Sequence, residues 1–200
     1  MKIGILISGR GSNMTAIIEA VQSGLISDCE VSVVISDKTS AAGLIKAEER
    51  DVETIVITKN GRTREEHDAE IISELKKRGV ELVCLAGYMR LLSKEFVRAF
   101  PNKIINIHPS LLPAFKGLDA PQQAIDYGVK ISGGTVHFVD EDLDHGAIIM
   151  QQAVEVADDD TAESLAAKIL EQEHALYIAA IKLIVEGEIE IKGRKVVAGK

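Results

Sequence analysis

The chain has 200 residues, 46% hydrophobic and 27% charged, with a mean hydropathy of +0.11. A chain of this length buries about 70% of the surface its unfolded form exposes, enough for one ordinary core. The composition excludes collagen-like, low-complexity and disordered classes. Twenty-three basic against 31 acidic residues give a net charge of −8, which argues against nucleic-acid or membrane partners but leaves room for a local anion site. No apolar run approaches the roughly 20 residues that span a bilayer, and Met1-Lys2-Ile3 leads directly into a strand-like run, so no signal peptide is expected. Cys29 and Cys84 sit inside apolar runs, as in a reduced, cytoplasmic chain without a disulfide framework.

Five short apolar, often β-branched runs come first: Lys2–Ile7, Glu30–Ile35, Glu53–Thr58, Glu81–Ala86 and Lys103–Ile107. They are continuous rather than alternating, the pattern of parallel strands covered on both faces. Helix-like segments lie between them. Thr63 with Glu66 reads as a capping box, with Ile71, Ile72 and Leu75 as the apolar stripe behind it. Strand, helix, strand at this spacing predicts right-handed βαβ units in an α/β fold, a doubly wound, mostly parallel sheet with helices on both faces. All four prolines fall between residues 101 and 121, which predicts a shaped loop. Two further strands are expected at Ile131–Val139, with alternation, and Ala147–Glu155. Asp160 with Glu163 is expected to cap a long amphipathic helix running to about Val185, and Glu188–Val197 reads as a hairpin turning at Gly193. No linker or repeat appears, so the expectation is a single domain over 1–200, with a Rossmann-like phosphate-binding half, 1–107, and a second half, 108–200.

Three places can carry chemistry. Ser8-Gly9-Arg10-Gly11-Ser12-Asn13 follows the first strand and opens a helix, where glycines and free N–H groups suit a phosphate. A dinucleotide fingerprint needs a third glycine where Met14 stands, so a nicotinamide or flavin site is not expected, and Asp37 reads as a loop cap. In Asn106-Ile107-His108-Pro109-Ser110-Leu111-Leu112-Pro113, residues 106 and 108 are two apart at a strand's carboxyl end and point the same way, placing two donors where a carbonyl oxygen under attack could sit. Asp140-Glu141-Asp142-Leu143-Asp144-His145-Gly146 imitates a calcium loop, but His145 and Gln151 occupy the positions that need Gly and Glu. Asp144 instead suits a partner of His108. The histidines at 67, 108, 137, 145 and 174 lack zinc-site spacing; His137 reads as packing or support, and Glu173-His174 as a half-buried polar pair.

Taken together, Ser8–Asn13, Leu85-Ala86-Gly87-Tyr88-Met89-Arg90, Asn106–Pro113 and Leu143-Asp144-His145-Gly146 resemble the glycinamide ribonucleotide formyltransferases, folate-dependent enzymes of de novo purine synthesis. The resemblance covers essentially the whole chain in order. Methionyl-tRNA formyltransferase, similar around the same loop, carries an added C-terminal domain, and formyltetrahydrofolate hydrolase carries an N-terminal regulatory domain. The resemblance implies formyl transfer from 10-formyltetrahydrofolate to the amine of 5'-phosphoribosylglycinamide, without a metal, by a formyltransferase fold in the cytoplasm. It implies Asn106, His108 and Asp144 as catalytic residues, with Gly11, Ser12, Asn13 and Glu173 on the ribonucleotide. Arg64, Met89, Arg90, Leu91 and Leu92 would line the folate side, with Asn106 and the loop Asp140, Glu141, Asp142, Leu143 and Asp144 closing over the pterin. A homodimer is left open. Asp119-Ala120-Pro121 replaces a loop that is histidine-rich in some relatives, and Ala147 and Ile178 stand where proline is frequent. Transfer to another amine, such as a sugar nucleotide, and a non-catalytic nucleotide-binding module are the rival readings.

Overall fold

A computed structural model describes residues 1–199. The described chain forms two compact units, the first residues 1–106 and the second from residue 107 onward.

In the first unit, β1 (Lys2–Ile7), β2 (Glu30–Ser36), β3 (Thr54–Val56), β4 (Leu82–Leu85) and the start of β5 (Ile104–His108) form a wholly parallel sheet in the order β3-β2-β1-β4-β5. Ile5, Leu6 and Ile7 are all fully buried, although successive side chains point to opposite faces, so both faces are covered. The covers are two helix pairs: α1 (Ser12–Gln22) packs with α2 (Ala42–Glu48), and α3 (Arg64–Lys77) with α4 (Lys94–Ala99). Strand order runs outward from β1 in one direction and from β4 in the other. Right-handed crossovers therefore put the pairs on opposite faces. The β1/β4 boundary is the point of reversal, beyond whose carboxyl ends open α/β sheets bind ligands. Thr63 and Glu66 form the expected capping box, with Ile71 and Leu75 fully buried below it. β3 is shorter than Glu53–Thr58, covering Thr54–Val56 alone.

In the second unit, β6 (Ile131–Phe138) pairs antiparallel with β7 (Ile148–Glu155). β8 (Ile189–Lys192) and β9 (Lys195–Ala198) form the expected hairpin, which joins β7 through Ile148 and Lys195. α5 (Ala120–Tyr127) and the long α6 (Ala162–Val185) complete the unit around Ala124, Val156, Leu165 and Ile169.

Three expectations change here. The expected loop over 101–121 ends early, because α5 begins at Ala120 with Pro121 in its first turn, where its missing N–H costs nothing. α6 is capped by Thr161 with Ser164, not by Asp160 with Glu163. Asp160 stands outside the helix, accepting from the Ala157 amide (2.7 Å) and the Ser164 hydroxyl (2.7 Å) and pairing with Lys168 (2.6 Å). Led by Lys168, these contacts lower its pKa to about 2. β6 does not alternate; residues 132–138 are all buried. At Gly134 a side chain would meet Glu173 and Leu176 of α6. On the opposite face, Thr135 bonds to the proline-rich loop, donating to the Ser110 carbonyl (2.6 Å) and accepting from the Leu112 amide (3.1 Å). The loop thus covers the face that would otherwise meet water.

Candidate active site

His108 ends β5, two residues after Asn106 on the same strand, and is 5% exposed. Its Nε2 lies 2.8 Å from the Phe115 carbonyl, and its Nδ1 3.4 Å from Asp144 Oδ2. Both ring nitrogens face acceptors, and only a doubly protonated ring donates to both. The Leu112–Pro113 bond is cis, and the loop carrying Phe115 is pinned by Thr135 and by Gln151, whose amide donates to the Leu112 carbonyl at 2.9 Å.

Asp144 is nearly enclosed, its side chain 9% exposed, with the backbone in the left-handed region at φ 45°. Its Oδ2 accepts from the Gly117 amide at 2.8 Å, and its Oδ1 lies 3.8 Å from His137 Nε2. The expected pairing of His108 with Asp144 is present, and His137 lies beside it. A register shift between Val136 and His137 marks a bulge, a common way of re-aiming a side chain beside a site. His137 Nδ1 donates to the Phe138 carbonyl at 2.7 Å, leaving Nε2 as an acceptor. Burial lowers the His137 pKa, outweighing the Phe138 carbonyl and Asp144, which raise it; His108 pushes it down further. The turn after Asp144 depends on Gly146, where a Cβ would stand 1.9 Å from the Phe138 carbonyl oxygen.

The rest of the acidic loop is a surface brace. Glu141, Asp142 and Leu143 are exposed and Asp140 half-buried. Ligand atoms of Asp140, Asp142 and His145 lie within 4.8 Å of one another. His145 Nδ1 donates to Asp140 at 2.8 Å, and Arg194 of the hairpin donates to the His145 ring and, at 2.7 Å, to its carbonyl. Arg194 already supplies positive charge there, and the trio has the character of a hydrogen-bonded loop anchor. Glu173, expected to be half-buried, is buried at 6% exposure within α6.

In the first unit, Gly11 caps α1 with φ 69°, and Ser12 and Asn13 begin the helix. No acidic residue lies in that first turn, so the positive helix end is not offset. The loop is braced by α2: the Gly43 amide donates to the Gly9 carbonyl (3.0 Å) and Lys46 to the Arg10 carbonyl (3.0 Å). A Cβ on Gly11 would lie 2.8 Å from the Gly43 Cα, so the two backbones touch. Met14 is fully buried, filling space that a dinucleotide fold keeps for glycine. Arg64 is the exposed first residue of α3. After β4, Met89 and Leu91 are 60% and 52% exposed, while Arg90 and Leu92 are half-buried.

Sequence reasoning missed Gly43, Phe115 and Gly117, which act through their backbones and carry no side-chain signature. His137 was visible only as a histidine in a strand, and the bulge that aims it has no clear sequence mark.

Known proteins agree with this architecture. The profile of the Formyl transferase family matches residues 1–181. A phosphoribosylglycinamide formyltransferase from Haemophilus influenzae is 41% identical over 96% of this chain and 90% of its own length. The trifunctional purine biosynthetic protein adenosine-3 of Gallus gallus is 43% identical over 96% of the chain, which spans only 19% of that longer protein. The crystal structure of glycinamide ribonucleotide transformylase 1 from Symbiobacterium toebii superposes with a TM-score of 0.97 at 47% identity, covering all of this chain and 94% of that one. The chain therefore belongs to the formyl transferase family and groups there with the phosphoribosylglycinamide formyltransferases.

Proposed function

We propose that residues 1–200 act as one catalytic domain that transfers the formyl group of 10-formyltetrahydrofolate to the amine of 5'-phosphoribosylglycinamide. The observation that carries the mechanism is the enclosed Asp144 carboxylate against His108, 3.4 Å away, with His108 held at its other nitrogen by Phe115. The amine nitrogen attacks the formyl carbon and forms a new C–N bond, and negative charge develops on the formyl oxygen. Asn106 donates to that oxygen, a well-placed donor contributing about 3 kcal/mol, and the His108 cation, whose two N–H groups face Phe115 and Asp144, supplies positive charge beside it. Asp144 holds the His108 cation and takes up the amine proton. The bond from the formyl carbon to N10 of the folate then breaks, and the proton ends on that nitrogen. The products are formylglycinamide ribonucleotide and tetrahydrofolate. The electrophile arrives activated by its folate leaving group, so the mechanism calls for no metal.

In this reading Gly11, Ser12 and Asn13 take the phosphate at the unopposed N-terminus of α1, and Glu173 takes the ribose or glycinamide part. Arg64 and Met89–Leu92 line the folate side, and Asp140–Asp144 cover the pterin. The enzyme works in the cytoplasm. Among the described residues no helix is long and apolar enough to cross a membrane. The deciding experiment measures tetrahydrofolate formation with and without the ribonucleotide. Formation that needs the ribonucleotide is expected; formation without it indicates hydrolysis, and none at all indicates a binding module.

A further inference from the structure

The segment that leaves β4 is pinned at both ends although its middle is exposed. At its start the Met89 amide donates to the Ser8 hydroxyl oxygen at 2.9 Å, and the Ser8 amide donates to the Gly87 carbonyl at 3.0 Å. Ser8 is 5% exposed and opens the loop that ends in Gly11, Ser12 and Asn13. At the far end the Ser93 amide donates to Asp68 Oδ2 at 2.6 Å, and the Ser93 hydroxyl caps α4 by accepting from Phe96 at 3.2 Å. Asp68, 1% exposed, lies on α3 one turn beyond Arg64. Its Oδ1 is 3.6 Å from His67 Nδ1, and His67 Nε2 donates to the Ile57 carbonyl at 2.7 Å.

We propose that Ser8 and Asp68 are positioning residues for the formyl donor, and that Ser8 couples the two substrate sites. The pair holds Met89–Leu92 in one shape before the folate arrives, which removes an ordering cost from binding. Ser8 also joins that segment to the phosphate loop across the β1/β4 reversal. A phosphate on Ser12 and Asn13 stiffens the loop containing Ser8, so the folate binds a segment already ordered at that end. The inference rests on the proposed assignment of Met89–Leu92 to the folate and of Gly11–Asn13 to the phosphate.

The test uses Ser8→Ala, Asp68→Ala and Asp68→Asn in the full chain. Hydrogen exchange of residues 87–93, measured without substrate, should speed up about 3- to 10-fold in Ser8→Ala and about 10- to 100-fold in Asp68→Ala. Asp68→Asn keeps an oxygen for the Ser93 amide and should stay within about threefold of wild type. KM for the formyl donor should rise about 10-fold in both alanine variants, with kcat nearly unchanged, and KM for the ribonucleotide should rise in Ser8→Ala alone. Wild type should bind tetrahydrofolate more tightly when the ribonucleotide is present, and Ser8→Ala should lose that gain. Unchanged exchange in Ser8→Ala overturns the tether itself and leaves the folate assignment standing. Faster exchange with an unchanged donor KM overturns the positioning role together with the folate assignment. Equal tetrahydrofolate affinity with and without ribonucleotide in wild type overturns the coupling. Ser8→Ala removes one hydroxyl, so it tests the first tether and the coupling even where Asp68→Ala does not fold.

Discussion

Asp144→Asn separates the charge of the acidic residue from its shape. The amide oxygen can accept from the Gly117 amide as Oδ2 now does at 2.8 Å. The amide nitrogen then takes the place of Oδ1, 3.8 Å from His137 Nε2, a nitrogen able to accept because Nδ1 carries the proton given to Phe138. The opposite flip sets an NH2 against the Gly117 N–H, donor against donor, so the first orientation prevails. What disappears is the negative charge beside His108 Nδ1 at 3.4 Å. Exchanging a charge-assisted hydrogen bond for a neutral one costs the fold about 1 kcal/mol, or about 2–4 °C in melting temperature for a chain of this size. The reaction loses far more, because the oxyanion loses the carboxylate that supports the cation beside it and the amine loses its proton acceptor. Turnover should fall about 10²–10⁴-fold, equivalent to about 3–5 kcal/mol of barrier, with substrate KM changing much less. Asp144→Ala should melt lower still, since the Gly117 amide loses its partner at a further cost of about 1–3 kcal/mol. The assay is tetrahydrofolate release at saturating substrates, beside a thermal melt of each variant. An Asp144→Asn enzyme within about threefold of wild-type turnover would refute the acid–base assignment.

Replacing Ser12 and Asn13 by alanine should raise KM for the ribonucleotide about tenfold and leave KM for the formyl donor nearly unchanged; the opposite pattern in steady-state kinetics means that the two substrates have been placed the wrong way round. Gly146→Ala forces a methyl group to within 1.9 Å of the Phe138 carbonyl oxygen, which backbone cannot yield cheaply. It should destabilise the chain by about 1–3 kcal/mol or more and slow turnover by shifting Asp144; a wild-type melting curve contradicts this. Burial lowers the His137 pKa from 6.5, so on acidification the unfolded chain takes up that proton before the folded one does. The contribution is therefore whole above pH 6.5 and is lost as pH falls through the folded value. His137→Gln should flatten the fall in melting temperature below that pH, and parallel curves for variant and wild type count against the burial argument.

The short-range features of this chain were legible in its residues. Continuous apolar runs specify parallel strands because each must be covered on two faces, and β1 and the Thr63–Glu66 cap follow that local logic directly. The glycine loop after β1 was readable for the same reason, since a strand, a glycine turn and a helix start lie next to one another in sequence. Helix ends were less legible: Asp160 and Thr161 are both good caps with a residue three on able to return the bond, and Thr161 caps with Ser164 while Asp160 is taken up by Ala157, Ser164 and Lys168. Tertiary structure alone decided the rest. β6 looked alternating because Thr135 and His137 are polar, yet both are buried, since a loop 25 residues upstream of Thr135 supplies its hydrogen bonds. The pairing of Asp144 with His108 required a left-handed backbone at Asp144 and the close backbone approach at Gly146, and the placing of His137 beside them a bulge, none of which is a periodic signal. Periodicity records which face of an element is covered, whereas the approach of two distant side chains is set by how the chain closes on itself.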